Sequence, residues 1–351
     1  MEVVRLLLYP FSLIYSFVLF CRNALYDKGI IKSYTPTVPT IVIGNLSFGG
    51  TGKTPFTEFL VKKLTDEGLK VAVLSRGYGR ITKGYLEVNT NSLSSDTGDE
   101  PLQIKRKFPS VPVVVCEQRT VGAKKLEEQY DLDCIILDDA FQHRKVQGHL
   151  NILLTTYRKP FFKDLVTPAG TLRDWMGSAA RADIVVVTKC PADISGEEVS
   201  QFSKRIGKKT AAPIFFANFT GDHVIETGSN EKSKVPLRSV LFSGIANPQH
   251  FEDQVSNYSE VLNHIKFKDH HPFNEVNIME ILDNIGSFAK EDVALITTEK
   301  DYMRLPPWLD RFADVPLFYW PIQLQFLFDE DQFNEKILRI IRGADPSTPQ
   351  Q

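Results

Sequence analysis

The chain has 351 residues and is 42% hydrophobic, enough for one large α/β domain with a smaller companion, which excludes a tail or linker. Its 41 Lys and Arg against 43 Asp and Glu leave a net charge of -2, without the basic excess of a chain that lives on nucleic acid. The four cysteines, Cys21, Cys116, Cys134 and Cys190, lie far apart with no CxxC pair, so they read as reduced thiols and small hydrophobes, not as a zinc site or disulfide framework.

The chain opens with an apolar run, residues 6–21, bracketed by Arg5 and Arg22. It is shorter than the roughly 20 residues of a spanning helix. No small-residue cleavage site follows it, so an uncleaved helix in the membrane surface is expected within residues 1–35, with Arg22, Lys28 and Lys32 facing lipid phosphates. A buried N-terminal core helix is the alternative.

Beyond Pro36 and Pro39, apolar β-branched runs at 40–47, 70–77, 111–116, 133–139, 151–156 and 183–189 alternate with helical segments such as 55–67 and 120–130. The pattern predicts a mostly parallel sheet, buried on both faces and flanked by helices, over residues 36–220. A polar stretch at 221–236 marks a domain boundary. Runs at 240–245, 293–301 and 315–321 then predict a smaller α/β unit over 221–343, and residues 344–351 read as a disordered tail.

The first strand runs directly into SFGGTGKT, followed by an amphipathic helix with Pro55 in its first turn. This is the strand, loop and helix order of a P-loop NTPase. Ser47, Phe48, Gly49, Gly50, Thr51, Gly52, Lys53 and Thr54 form the phosphate loop. Its glycines let backbone N–H groups close around phosphate oxygens, Lys53 reaches the β- and γ-phosphates, and Thr54 completes a Mg²⁺ shell. Ser47 stands where the pattern usually has its first glycine. Asp138 and Asp139 end a buried strand, where metal-holding carboxylates of such sites belong. A guanine-specific element would need Asn/Thr-Lys-x-Asp after a late strand. The segment at 188–191 is TKCP, with Pro191 in place of the aspartate, which favours ATP.

Several segments together resemble the lipid A 4'-kinases, or tetraacyldisaccharide 4'-kinases: residues 38–55 with GGTGKTP, LSRGYGR (74–80), GDEP (98–101), ILDDAFQHR (136–144), PAGTLRD (168–174), FSGIANPQHF (242–251), FKDHHPF (267–273) and TTEKD (297–301). They span nearly the whole chain in order. Ser47 is no obstacle in this family, whereas Asp174 replaces the more usual glutamate. The resemblance implies transfer of the ATP γ-phosphate to the 4'-hydroxyl of an acylated glucosamine disaccharide 1-phosphate, giving lipid IVA, by a protein peripheral to or anchored at the cytoplasmic face of a bacterial inner membrane. A membrane-associated switch ATPase would share the loop and the anchor, but leaves GDEP and DHH without a use.

A sugar hydroxyl is a poor nucleophile at neutral pH, so a carboxylate base is expected. Asp99, in what reads as a loop, is the candidate. His270 is its partner because the family motif implies a functional histidine directly after the aspartate; His271 is the alternative, and in extended chain only one can face the cleft. Glu100 is a candidate for metal or substrate. Arg76, Arg119, Arg144 and Arg173 are candidate cations for an anionic sugar phosphate, and Gln142 and His143 candidates to line the acceptor pocket.

Overall fold

In the computed structural model the described residues are 2–286, 288 and 293–343; the expected tail at 344–351 lies outside them. Among them two sheets carry the architecture. The first has nine strands in the order Gln323–Phe326, Ile214–Thr220, Ile184–Thr188, Leu150–Thr156, Thr40–Asn45, Cys134–Leu137, Val71–Ser75, Val113–Val115 and Leu86–Glu87. All neighbours are parallel except the pairs at the two edges. Every residue of the strand Thr40–Asn45 is buried, with Ile41 and Ile43 in one apolar cluster and Val42 in another. Side chains alternating to two covered faces explain why the parallel strands are apolar throughout.

Parallel strands put their C-terminal ends on one side of a sheet. Thr40–Asn45 lies between Cys134–Leu137 and Leu150–Thr156, so the phosphate loop and Asp138 emerge side by side. Gly44 permits this approach: a Cβ there would stand 2.6 Å from the Cβ of Phe141 in the turn after Asp139.

The second sheet has six strands, Lys232–Ser233, Val224–Glu226, Leu317–Trp320, Val293–Thr298, Arg238–Ser243 and Glu260–Lys266, the last four parallel. Its first two strands in the chain, Val224–Glu226 and Lys232–Ser233, lie within the polar stretch at 221–236, and its last, Leu317–Trp320, ends well before residue 343. Strand Gln323–Phe326 pairs with Ile214–Thr220 of the first sheet. The helix Glu330–Ile341 returns with it, and Phe333 packs against Phe56 of the phosphate-loop helix and Phe215. Aromatic packing thus ties the chain's final segment to the first unit.

The N-terminal helix is longer than the apolar run. It spans Glu2–Asp27, 26 residues, and 23 of them, Arg5–Asp27, are long and apolar enough to cross a membrane. Leu6, Leu7, Phe11, Leu13, Ile14, Phe17 and Val18 are exposed, which overturns the buried-helix alternative for this stretch. Only a narrow face docks. Leu19 joins the cluster around Leu153, Val185 and Val187, and Ser12 accepts from the Ala169 N–H at 2.8 Å. Arg22 is not turned to lipid as expected: its guanidinium donates to the Gln142 carbonyl at 3.1 Å.

Candidate active site

The helix Lys53–Asp66 begins at the phosphate loop, capped by Gly52 at φ 85°. A Cβ at Gly52 would overlap the Phe219 ring at 2.1 Å, so both conformation and space require glycine. Ser47 bridges to Leu172, and the Phe48 N–H donates to the Thr171 carbonyl at 2.7 Å. The Thr188 hydroxyl donates to the Thr51 carbonyl at 2.8 Å, fixing the loop's far side to a sheet strand. Lys189, passed over with TKCP, has its ammonium 4.0 Å from where a Gly50 Cβ would stand.

Lys53 Nζ stands 3.8 Å from Asp139 Oδ1. Arg173 grips the same carboxylate through both guanidinium nitrogens and donates to Asn45 Oδ1 at 2.6 Å. Burial pushes Asp139 upward, but Lys53, Arg173 and Arg119 together hold it below the usual carboxylate range. Asp139 itself has φ 48°, a turn conformation that aspartate tolerates. Asp138 is in a different situation. It is 1% exposed and accepts from the hydroxyls of Thr57 at 3.2 Å and Ser75 at 3.3 Å. Burial, with Glu100 and Asp139 nearby, pushes it up to about 6. A buried carboxylate crowded by two others is the setting a divalent cation relieves, so the donor set fits Mg²⁺. Among the described residues no group of three or more His, Cys, Asp and Glu forms a self-sufficient metal cage, as expected where phosphates and water complete the shell.

Asp99 is not on a loop. It opens the helix Asp99–Lys107, whose first turn holds Asp99 and Glu100 and whose last turn holds Lys105, Arg106 and Lys107, a distribution that suits the helix dipole. Asp99 is 7% exposed. Its Oδ2 lies 3.0 Å from His270 Nδ1 and 3.2 Å from Arg304 Nε. His270 belongs to the other sheet's loops and is held by its N–H to the Gly244 carbonyl at 3.0 Å; Gly244 in turn donates to Asp301 Oδ1 at 3.1 Å. Three sequence motifs, FSGIANPQHF, FKDHHPF and TTEKD, thus meet at this turn. The two histidines separate as expected, although by a turn and not by extended chain. His270 has φ 57°, while His271 stacks on Phe267 at 4.8 Å and bonds to Asn277 Oδ1 at 2.9 Å.

The remaining candidates divide. Arg119 is 1% exposed; one nitrogen donates to the Cys116 carbonyl at 2.7 Å, while Nε and the other terminal nitrogen are buried without a hydrogen-bond partner among the described residues. Burial lowers it to about 10 against the pull of Asp138 and Asp139. Arg76 is exposed at the end of its strand and close enough to lower both Arg119 and His143. Burial first, then Arg119, Arg76 and Arg22, bring His143 down to about 4, so it is neutral at pH 7. Gln142 faces the phosphate-loop strand, donating to the Asn45 carbonyl at 2.7 Å. Arg144 leaves the candidate group: it pairs with Asp27 at 2.7 Å and donates to the Asn23 carbonyl at 2.9 Å. Asp174 also faces the N-terminal helix, accepting from Asn23 at 3.1 Å and Arg181 at 3.0 Å. Glu100 pairs with Lys300 at 3.1 Å. Lys300 and Arg304 escaped sequence reasoning, although TTEKD contains the first and ends three residues before the second.

Comparison with known proteins gives the family. The profile of the family described as Tetraacyldisaccharide-1-P 4'-kinase (LpxK) matches residues 4–342. The chain belongs to this family. Relatives named tetraacyldisaccharide 4'-kinase include one from Bacteroides thetaiotaomicron, 38% identical over 353 residues (95% of this chain, 93% of the relative), and one from Cytophaga hutchinsonii, 39% identical over 336 residues (95% and 94%). The crystal structure of LpxK from Aquifex aeolicus in complex with ATP superimposes with a TM-score of 0.77 at 30% identity, covering 96% of this chain and 99% of that one.

Proposed function

We propose that this kinase transfers the γ-phosphate of ATP to the 4'-hydroxyl of a tetraacylated glucosamine disaccharide 1-phosphate, in lipid A synthesis. The observation that carries the reading is the nearness of two sets of groups: a phosphate loop beside Asp138 and Asp139, and an Asp99–His270 pair whose neighbour Glu100 is close enough to raise Asp138.

The phosphate loop's N–H groups and Lys53 bind the β- and γ-phosphates and neutralise charge as it moves toward the leaving oxygen. Thr54, Asp138 and Asp139 would hold Mg²⁺, which would supply charge neutralisation as the phosphoryl group moves. Asp99 accepts the proton of the acceptor hydroxyl as its oxygen bonds to the γ-phosphorus. The bond from that phosphorus to the β,γ-bridging oxygen breaks, and ADP leaves. Arg119, with two unsatisfied buried nitrogens, and Arg76 offer charge to anionic oxygens; His143 stays neutral beside them. Arg173 serves Asp139 more than the substrate, since both its terminal nitrogens are engaged there.

An acyl-chain acceptor resides in a bilayer, and the exposed apolar face of Glu2–Asp27 suits a protein held at the inner membrane's cytoplasmic face. The test is incubation of the full chain with γ-labelled ATP, Mg²⁺ and the disaccharide 1-phosphate in detergent micelles. Label in the lipid is the expected result. Label released only as inorganic phosphate would replace this reading with a switch ATPase.

A further inference from the structure

Lys300 is named in no role above, yet its ammonium lies 3.0 Å from His270 Nε2 and 3.1 Å from Glu100 Oε1. We propose that Lys300 is a positioning residue for the phosphoryl transfer: it holds His270 as the neutral Nδ1–H tautomer and so keeps Asp99 free to take the acceptor's proton. The inference rests on the assignment of Asp99 and His270 as base and partner.

The argument is one of matching donors to acceptors on the two ring nitrogens. Nδ1 faces a carboxylate oxygen at 3.0 Å, and Nε2 faces the Lys300 ammonium at hydrogen-bond distance, 3.0 Å, with Asp269 Oδ1 beyond that reach at 4.0 Å. An imidazolium would direct its Nε2–H at the Lys300 protons, cation against cation. The Nε2–H tautomer would fail twice, with a bare Nδ1 against the carboxylate and an N–H against the ammonium. Only the Nδ1–H tautomer satisfies both contacts, donating to Asp99 and accepting from Lys300. The Lys300 ammonium donates to Glu100 Oε1 on its other side as well, at 3.1 Å, which fixes its place against Nε2.

Two consequences follow. While Lys300 donates to it, the imidazole has no free lone pair, so the proton taken from the acceptor rests on Asp99 and does not pass to His270. Both the His270 and Arg304 contacts fall on Oδ2 of Asp99, which leaves Oδ1 uncommitted by either. The arrangement also spans the cleft, because Asp99 and Glu100 open one helix of the first unit while His270 and Lys300 belong to the second. The tautomer is therefore set only where the two units meet.

The test uses the full chain labelled with ¹⁵N-histidine, the His270 signals being those lost in His270→Gln among the 7 histidines. In the wild type the shifts should report a protonated Nδ1 and a bare, hydrogen-bonded Nε2. In Lys300→Met they should move to a mixture of the two tautomers. The same variant should lose kcat by about 10- to 100-fold with an unchanged ATP KM, and Lys300→Arg should restore the tautomer and part of kcat. An unaltered tautomer in Lys300→Met overturns the inference whether or not kcat falls, as does a kcat within about twofold of wild type. Near-normal activity of Asp99→Asn and His270→Gln would overturn the base assignment itself. Retained ATP binding in each variant confirms that the site has folded.

Discussion

The phosphate loop and the Asp99 cluster are neighbours built by opposite means. The first comes from adjacent strands of one parallel sheet, and its parts emerge together because strand order puts them there. The second exists only where two sheets meet, with Asp99 and His270 separated by 171 residues and Glu100 and Lys300 by 200. On the proposed roles, nucleotide binding would rest on one sheet, whereas acceptor activation would depend on how the second unit lies against it.

The sharpest way to break the comparison is Lys53→Ala. It should lower kcat by about 10²–10³-fold or more, with a cooperative thermal transition retained because Arg173 still holds the Asp139 carboxylate once its 3.8 Å contact with the largely buried Lys53 is lost. Activity within about tenfold of wild type in the labelled-ATP assay would remove the phosphate-loop assignment.

Next in size is the pair across the cleft. Asp99→Ala and His270→Ala should each lower kcat by about 10²-fold or more, with ATP KM little changed and the double variant scarcely worse than either single one. If the losses multiply, the two residues do not act as a unit, and if Glu100→Ala is the more damaging change the base has been misassigned.

The N-terminal helix is joined to the first site and not to the second. Asn23 reaches Asp174 and Ser178, Arg22 reaches the Gln142 carbonyl, and Gln142 reaches the phosphate-loop strand at Asn45. Removing residues 1–21 leaves Arg22 and Asn23 in place. Such a chain should partition away from vesicles of anionic lipid and use the lipid acceptor poorly while binding ATP normally, as read by flotation and nucleotide titration. Loss of ATP binding would mean that the helix is part of the fold. Adding Asn23→Ala should then cost about 1–2 kcal/mol of stability, because Asp174 loses one buried donor.

What could be read in the sequence follows the same division. Strand, loop and helix around Lys53 were legible because apolar runs and glycine spacing are local signals. The helix at Asp99 was not, since Gly98 and Pro101 read as a turn when in fact glycine caps this helix and proline fits its first turn. The N-terminal helix was cut short at Arg22 because its last turns are polar; they stay helical by bonding to Gln142, Asp174 and Arg144, partners more than a hundred residues away. The return of residues 323–341 to the first sheet had no local signal either, being decided by Phe333 meeting Phe56 and Phe215. Lys300 lay in a segment matched to the family, but its chemistry required knowing what it faced.

The smallest effect concerns the seam that holds the two sites in register. Lys107, at the far end of the Asp99 helix, donates to Glu58 of the phosphate-loop helix at 2.7 Å and to Glu299 of the second unit at 3.3 Å. Gln103 donates to the other oxygen of Glu58 at 2.7 Å. Burial, then the Glu58 charge, pushes the Glu299 carboxyl from 4.5 up to about 8 despite Lys107. Burial works against the Lys107 charge, yet the two carboxylates outweigh it and raise Lys107 above its ordinary value. For Glu299 the direction sets a pH window. Between about pH 4.5 and 8 the unfolded chain ionises this carboxyl while the folded one keeps its proton, so the stability it lends is complete below that window and fades as pH rises through it. Glu299→Gln mimics the protonated form. It should match the wild-type thermal midpoint near pH 5 and exceed it by about 2–5 °C near pH 9. A midpoint difference that stays flat across this range would mean that Glu299 is ionised throughout and that Lys107 is held by two full charges. In that case the variant should be the less stable protein at every pH, because Lys107 would lose one of its two buried counter-charges.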